Sequence, residues 1–560
     1  MKGMSLKGKI ILSVISGVAF CGGVFYFALP AINPMSPSFW SLLAFVFASF
    51  AYPFLFKEKS GEVKKEKSNR IIKFKLDFGG KKLNLAVALL IVVPLVILLL
   101  GNVISSEVFN AKGYASVIEV TVADFATDMK ETGEVTNIAL MDGESAKIIG
   151  NRTLGNLSEV VSQYEISGVY TQINYQYSPK KVANLEYADF FKWFANMDKG
   201  VPGYVMVDPV NNTAEYVELE KPLRYVESGY FGDDLMRKVR FAYPTKIFDD
   251  FISFEVDDEG NPFYIISCLK PKVFPFGAMD VSEVIIFDPC TGESEIYDVA
   301  DVPAWVDAVY SGGLAEQKYN WHGTLSGGFI NSIIGNKDCK RTTDDYGYIT
   351  IGDDVWYFTG VTSISSDESN IGFIISNART GEYKFYPVIG AEEYSAMGAA
   401  EGEVQEKGYD ASFPALVNIA GEPTYIMVLK DANQLVKLYA LVNVEQYNLV
   451  ATGETQASAI SAYIKLLSQN GVDTSTPPKD DALISESITV ADVQVRALSG
   501  VTYYYLTSDA GKVYRVEFNE ENEAIFFVKA GSRMKLQAIL NEKTGIYSVS
   551  EWEFTEEVSK

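Results

Sequence analysis

The sequence predicts an α+β protein hung from a membrane, with tandem strand–hairpin–helix modules and a small β-barrel at its C-terminal end. Three observations carry that expectation. Residues 83–100, LNLAVALLIVVPLVILLL, contain no charged side chain. A pair of apolar strands around an Asp- or Asn-opened turn recurs four times between residues 204 and 452. Beyond residue 487 the chain alternates as short strands separated by glycine-containing turns.

The apolar run comes first because it sets the topology. At about 1.5 Å rise per residue it reaches most of the way through a bilayer core. Residues 10–29 form an earlier apolar run behind Lys7 and Lys9, and residues 39–56 form another, so three transmembrane helices (10–29, 39–56, 83–100) are expected. A cleaved signal peptide is the rival reading of the first run, but its apolar core is longer than such segments need. Cys21 does not make a lipoprotein box, since bulky Phe20 stands where a small residue belongs.

Charge then orients the chain. Residues 1–82 hold 13 Lys/Arg against four acids, a balance of +9, and ten of those bases lie in the loop 57–82. The remainder balances at −33. The positive-inside bias puts the N-terminus and the basic loop in the cytoplasm, and everything after residue 100 outside a multi-pass cell-membrane protein. An ectodomain this acidic does not bind nucleic acid through phosphate neutralisation. Its three cysteines, Cys268, Cys290 and Cys339, allow at most one disulfide and leave one thiol over.

Domain boundaries follow from composition. The expected order is a membrane domain (1–102) and a juxtamembrane α/β module (103–198). Two stretches of hairpin-containing α+β modules (199–320 and 321–470), a linker (471–481) and a barrel of OB or SH3-like type (482–560) follow. In the juxtamembrane module, Phe190, Phe191, Trp193 and Phe194 form an aromatic stripe expected to be core. The hairpin turns are Asp208 to Asn212, Asp288-Pro289-Cys290-Thr291-Gly292-Glu293, Asn377-Ala378-Arg379-Thr380-Gly381-Glu382 and Asn443 to Asn448. Asp or Asn opens such a turn by bonding its own backbone, and Gly or Asn supplies the positive φ. Another strand precedes three of these hairpins (262–267, 355–359, 424–429), and helices are expected after them (302–310, 392–405, 456–467). The strands at 355–359 and 424–429 carry no charge and are the best candidates for open edges able to accept an extended peptide, the alternative being that they are central and already paired. After the linker, six strands are expected, including one at 524–528.

A strand followed by a hairpin turning on Asp-Pro-x-Thr-Gly-Glu resembles the PepSY type of extracytoplasmic domain. That resemblance implies binding or inhibition of peptidases at a bacterial surface. The layout as a whole also looks like membrane-anchored proteins of clostridial-type bacteria.

Catalytic chemistry has one candidate pair. The single histidine, His322, stands in Trp321-His322-Gly323-Thr324, and Cys339 follows. His-Gly-Thr ahead of a cysteine resembles the YkuD type of L,D-transpeptidase, which implies a thiolate nucleophile beside a histidine base. Here Asn336-Lys337-Asp338 leads into the cysteine, so the family's adjacent base is missing, and Asp338 raises the thiol pKa. The acidic pairs Asp257-Asp258, Asp344-Asp345 and Asp353-Asp354 lack calcium-loop spacing, so no metal or cofactor site is expected. The expectation is therefore a non-enzymatic binding or scaffold protein of the bacterial envelope with a protein or peptide partner. A cell-wall enzyme using Cys339 and His322, or an accessory subunit of a transport complex, are the alternatives.

Overall fold

A computed structural model describes residues 6–55, 81–129, 139–343, 345–364, 366–472, 483–498, 501–518, 520–541 and 546–555. The chain divides into two compact units, Met1–Asp473 and Thr474–Lys560. Most of the expected linker 471–481 and almost all of the basic loop 57–82 lie outside the described residues.

The first unit begins with helices α1 (Leu6–Ala28), α2 (Pro37–Leu55) and α3 (Lys81–Ile104). Three equivalent spans were expected, and this is corrected. Among the described residues only 10–28 are long and apolar enough to cross a membrane. The apolar part of α2 is the shorter Pro37–Ala51. Helix α3 bends by 56° into α4 (Glu107–Ala115), and this pair passes only if both halves are counted as one span. Fifteen residues of helix rise about 22 Å, against a hydrocarbon core of about 30 Å.

The three helices pack by small contacts. The Ser13 hydroxyl donates to the Phe50 carbonyl, and Ser16 to the Ser49 carbonyl at 3.3 Å. One end of the bundle, where the α1–α2 connection and the C-terminus of α3 lie, seats on the rest of the unit. Ile32 N donates to Pro244 O at 2.8 Å, and Arg237 donates to Tyr26 O at 3.1 Å while stacking over its ring. Just past the C-terminus of α3 the Tyr114 hydroxyl donates to Ser105 O at 2.7 Å.

After a three-residue strand, β1 (Val120–Val122), and helices α5 (Phe125–Asp128), α6 (Gly143–Gly155) and α7 (Ser158–Val161), the unit repeats one motif four times. Each repeat is an antiparallel meander whose last two strands are joined by the Asp/Asn turn. The first sheet holds β2 (Tyr164–Ile166), β3 (Thr171–Tyr175), β4 (Ser178–Tyr187), β5 (Val201–Asp208) and β6 (Thr213–Leu223). The second holds β7 (Ile247–Val256), β8 (Pro262–Val273), β9 (Gly277–Phe287) and β10 (Ser294–Asp298). The third holds β11 (Lys340–Thr342), β12 (Gly347–Ile351), β13 (Asp354–Ser363), β14 (Ser366–Asn377) and β15 (Tyr383–Tyr386). The fourth holds β16 (Asp410–Ala411), β17 (Ala415–Ile419), β18 (Glu422–Lys430), β19 (Val436–Asn443) and β20 (Val450–Gly453).

Local chemistry makes the four turns. Asp208 accepts from Val210 N at 2.9 Å, Asp288 from Cys290 N at 2.7 Å, Asn377 from Arg379 N at 2.9 Å and Asn443 from Gln446 N at 2.7 Å. Gly292 and Gly381 close their turns at φ +78° and +72°, a region that side chains with a Cβ avoid.

The turns also join the repeats. The carbonyl just after the turn-opening residue accepts from the connector that precedes the sheet. Pro289 O takes Arg224 N and Tyr225 N (2.9 and 3.0 Å), Ala378 O takes Val309 N and Tyr310 N (3.0 and 2.8 Å), and Val444 O takes Ala391 N (2.9 Å). Tyr225 and Tyr310 lie against Gly292 and Gly381, where a Cβ would come within 2.5 and 2.8 Å of their rings. This joint explains why residues 302–310 are not the expected helix. Beyond a short 3-10 turn at Val299–Asp301 their N–H groups go to the neighbouring sheet instead.

Three further expectations change. The boundary at 198/199 falls inside the first sheet, since β5 pairs with β4. The strands at 355–359 and 424–429 are central: β13 lies between β14 and β11/β12, and β18 between β19 and β16/β17. Their lack of charge reflects burial on both flanks. The aromatic stripe lies on α8 (Phe190–Asn196), where only Trp193 is core; Phe191 and Phe194 are 77% and 65% exposed. Helices α9 (Leu235–Ala242), α10 (Gly312–Leu325), α11 (Glu393–Glu403) and α12 (Gln456–Gln469) complete the unit.

The second unit is a closed five-stranded barrel of β21 (Leu483–Leu498), β22 (Val501–Ser508), β23 (Val513–Glu517), β24 (Arg533–Asn541) and β25 (Ile546–Phe554). Its order is β21-β22-β23-β25-β24 with β21 returning to β24, and β23 and β25 run parallel. The strand expected at 524–528 falls instead in a 3-10 segment, Glu520–Phe527, whose Ile525 enters the barrel core with Leu506, Tyr514 and Leu536.

Candidate functional site

The residues singled out for catalysis lie close in sequence but make separate contacts. His322 sits on α10 with Nδ1 2.9 Å from the Ala115 carbonyl, so that nitrogen carries the proton and donates it. Cys339 is buried, with Sγ 3.4 Å from Thr324 O and 3.3 Å from Asn331 Nδ2. Burial, and then Asp338, push its thiol pKa up, away from the thiolate a nucleophile needs. All four cysteines are free thiols. Among the described residues no three His, Cys, Asp or Glu side chains gather as a metal site.

Two buried carboxyls, Glu255 on β7 and Asp307, both have raised pKa values, chiefly because of desolvation. Glu255 accepts from Asp307 N at 2.7 Å and Ala308 N at 3.0 Å, and Asp307 accepts from Asn174 N at 2.6 Å. They satisfy the backbone of an inter-repeat joint, a structural task.

A groove of about 920 Å³ lies between the first and second sheets. One wall is β6. Seven successive residues, Glu215–Lys221, line it, including those pointing to both faces of the strand. A strand that lines a groove in this way presents its edge to it. β6 has a ladder partner on one side only, β5. The opposite wall comes from 259–263, the β7–β8 turn, and from Asp288, Cys290 and Thr291 of the second sheet's hairpin turn.

No family model matches the chain, and no curated protein matches it either. The groove is therefore read from its own chemistry.

Its lining is acidic. Glu215, Glu218, Glu220, Glu259 and Asp288 face it, and Lys221 is the single cation among the described lining residues. Tyr175, Tyr204, Tyr216 and Phe263 add aromatic surface. The far end is closed, since the Cys290 thiol donates to Lys221 O at 3.1 Å. Burial, and then Asp288, push the Cys290 pKa up to about 12, so it remains a thiol and a donor at neutral pH.

Sequence reasoning missed this strand because it sought edges without charge. The available signal was the opposite one. Glu215, Glu218 and Glu220 on a strand of 11 residues are the charges with which proteins protect an exposed edge from indiscriminate pairing.

Proposed function

We propose that the chain is a membrane-anchored extracytoplasmic binding protein of the bacterial envelope. It captures an extended, basic segment of a partner protein along β6. The observation that carries this reading is the long one-sided edge of β6 forming the wall of a groove of about 920 Å³. Main-chain hydrogen bonds to such an edge supply affinity, and the acidic lining selects the partner's charge.

The third sheet offers an internal precedent. There the corresponding last strand, β15, has its outer edge taken by β1, which pairs in parallel from Val120 with Tyr383 to Val122 with Phe385. An extended segment added to that edge is thus already part of this fold.

Membrane anchoring is supported by α1, whose side chains Ile11, Ile15 and Val18 are exposed on the uncharged stretch Ile10–Ala28. Phe27, in its last turn, lines a cavity together with Tyr230 and Phe231, and Phe231 packs on Trp193 of α8. Exposed aromatic rings at the end of a spanning helix suit the lipid interface. With the basic loop inside, β6 faces the exterior.

Fluorescence anisotropy tests the reading, using detergent-solubilised full-length protein and a labelled ten-residue peptide of alternating Lys and Val. Saturable binding that weakens with salt is expected. Glu218→Lys combined with Glu220→Lys should weaken it at least about tenfold, roughly the 1.4 kcal/mol of a few interfacial charge contacts. Equal binding by the double variant, or none by the parent, overturns the proposal.

A further inference from the structure

A second cavity, of about 250 Å³, lies where β3 and β4 of the first sheet meet β12, the Pro414–Ala415 entry to β17, and the N-terminus of α6. Two polar side chains on its wall are cross-strand neighbours, Gln172 and Lys181, each 4% exposed. The Lys181 ammonium lies 4.9 Å from the centre of the Tyr348 ring, and among the described residues it makes no ion pair or hydrogen bond. The Gln172 carbonyl oxygen is buried without a donor.

The nearby acid does not serve Lys181. Asp142 caps α6 by accepting from Ser145 N at 2.7 Å, and its other oxygen takes the Lys430 ammonium at 2.5 Å. The remaining charged group among the described wall residues is Asp345. Helix α6 runs 13 residues from Gly143, with its positive dipole end at the cavity. Burial lowers the Lys181 pKa to about 8, opposed by Asp142, which is the mark of a cation without a close counterion.

Burying a charge without a partner, beside an amide oxygen without a donor, is costly. A ligand that answers both groups removes that cost. We propose that this cavity binds a small carboxylate bearing a hydroxyl or ammonium group on the adjacent carbon. The carboxylate sits on Lys181 Nζ in the field of the α6 N-terminus, and the donor goes to the Gln172 oxygen. Tyr346, Tyr348 and Phe413 supply the apolar wall for the rest of a small molecule. This site is separate from the β6 groove and does not depend on it.

Isothermal titration of the full-length protein with L-lactate, L-alanine and acetate tests the assignment, alongside thermal unfolding in each. Saturable binding of lactate or alanine is expected, about fivefold tighter than acetate, which lacks the donor. Lys181→Met should weaken all three at least tenfold, while unfolding at or above the parent's temperature because a buried charge is gone. Gln172→Leu should bring lactate down to the level of acetate. Glu218→Lys should change none of these. No saturable binding by the parent protein, or equal binding by the parent and Lys181→Met, overturns the proposal. If Lys181→Met fails to fold, Gln172→Leu decides: retention of the lactate preference overturns it.

Discussion

β6 and β15 are the same strand of two repeats, and they differ in what lies on their outer edge. β15 is four residues long, largely buried, and covered by β1. β6 is 11 residues long, carries Glu215, Glu218, Glu220 and Lys221 at exposed positions, and borders a groove. The barrel shows a third solution, closing on itself so that no edge remains. Edge management thus varies across the molecule while the meander stays constant. Among the described residues the last strands β10 and β20 also pair on one side only, but at five and four residues they are far shorter than β6. The long open edge is the one that borders a large concavity, and that is where function is sought.

Amide hydrogen exchange tests this comparison most directly and should show its largest effect. Outward N–H groups of β6 are expected to exchange at least about a hundredfold faster than those of β15, because ladder partners protect only the latter on both sides. Comparable protection of both strands would dissolve the distinction. Added Lys–Val peptide should slow exchange in β6 and leave β15 unchanged.

Next in size is the joint at the turn. Gly381→Val places a Cβ at φ +72° and against the Tyr310 ring, so it should destabilise the first unit by about 1–3 kcal/mol in urea unfolding. Gly292→Val should do the same through Tyr225. An unchanged urea midpoint for both would remove the joints from the account.

Thr121→Pro in β1 removes an N–H from the strand that covers β15. A loss of about 1–2 kcal/mol is expected, with binding of the Lys–Val peptide gained at a second site. Stoichiometry that stays at one would mean that β15 is too short or too buried to act as β6 does.

A smaller effect concerns pH. Glu393 on α11 lies under the third sheet, its carboxylate accepting from Gly360 N at 2.6 Å. Burial pushes its pKa up to about 7, despite that hydrogen bond. The folded chain therefore holds a proton that the unfolded chain releases near pH 4.5, so stability falls as pH rises from about 4.5 to 7 and stays low above. Glu393→Gln should flatten that slope and stabilise the unit at pH 8, read at Trp356 in the third sheet's core. A parent protein equally stable at pH 5 and pH 8 would contradict the assignment.

The smallest expected signal is chemical. Cys290, with its thiol pKa pushed to about 12, should alkylate very slowly at pH 7.5, and bound peptide should slow it further.

What was legible in the sequence was local. Asp288 and Gly292, or Asn377 and Gly381, announce their hairpins because turn chemistry acts within six residues. The mixed α and β content and the apolar first helix follow from the same short-range patterns. Neighbours across the fold were not legible. Residues 355–359 looked like an edge because their lack of charge signals burial without saying on which side. Phe191 and Phe194 looked like core because aromatic spacing does not say which face is covered. The Lys181 cavity depends on strands from three sheets, and its residues span positions 139 to 415. Helix length misled as well: the bend after Ile104 divides what reads as one continuous apolar run with its flank.

The parallel pairing of Val120 with Tyr383 also bears on how the chain is made, because the two residues stand 263 positions apart. A ribosome adding roughly 5–20 residues per second needs about 13–50 s to bring the second partner out after the first. Through that interval β1 waits while the first two sheets emerge and fold, and one of them has an open edge at β6. The acidic side chains along β6 then guard against capture of the waiting strand. Glu119 next to Val120 adds the like charge that keeps the two apart until β15 arrives.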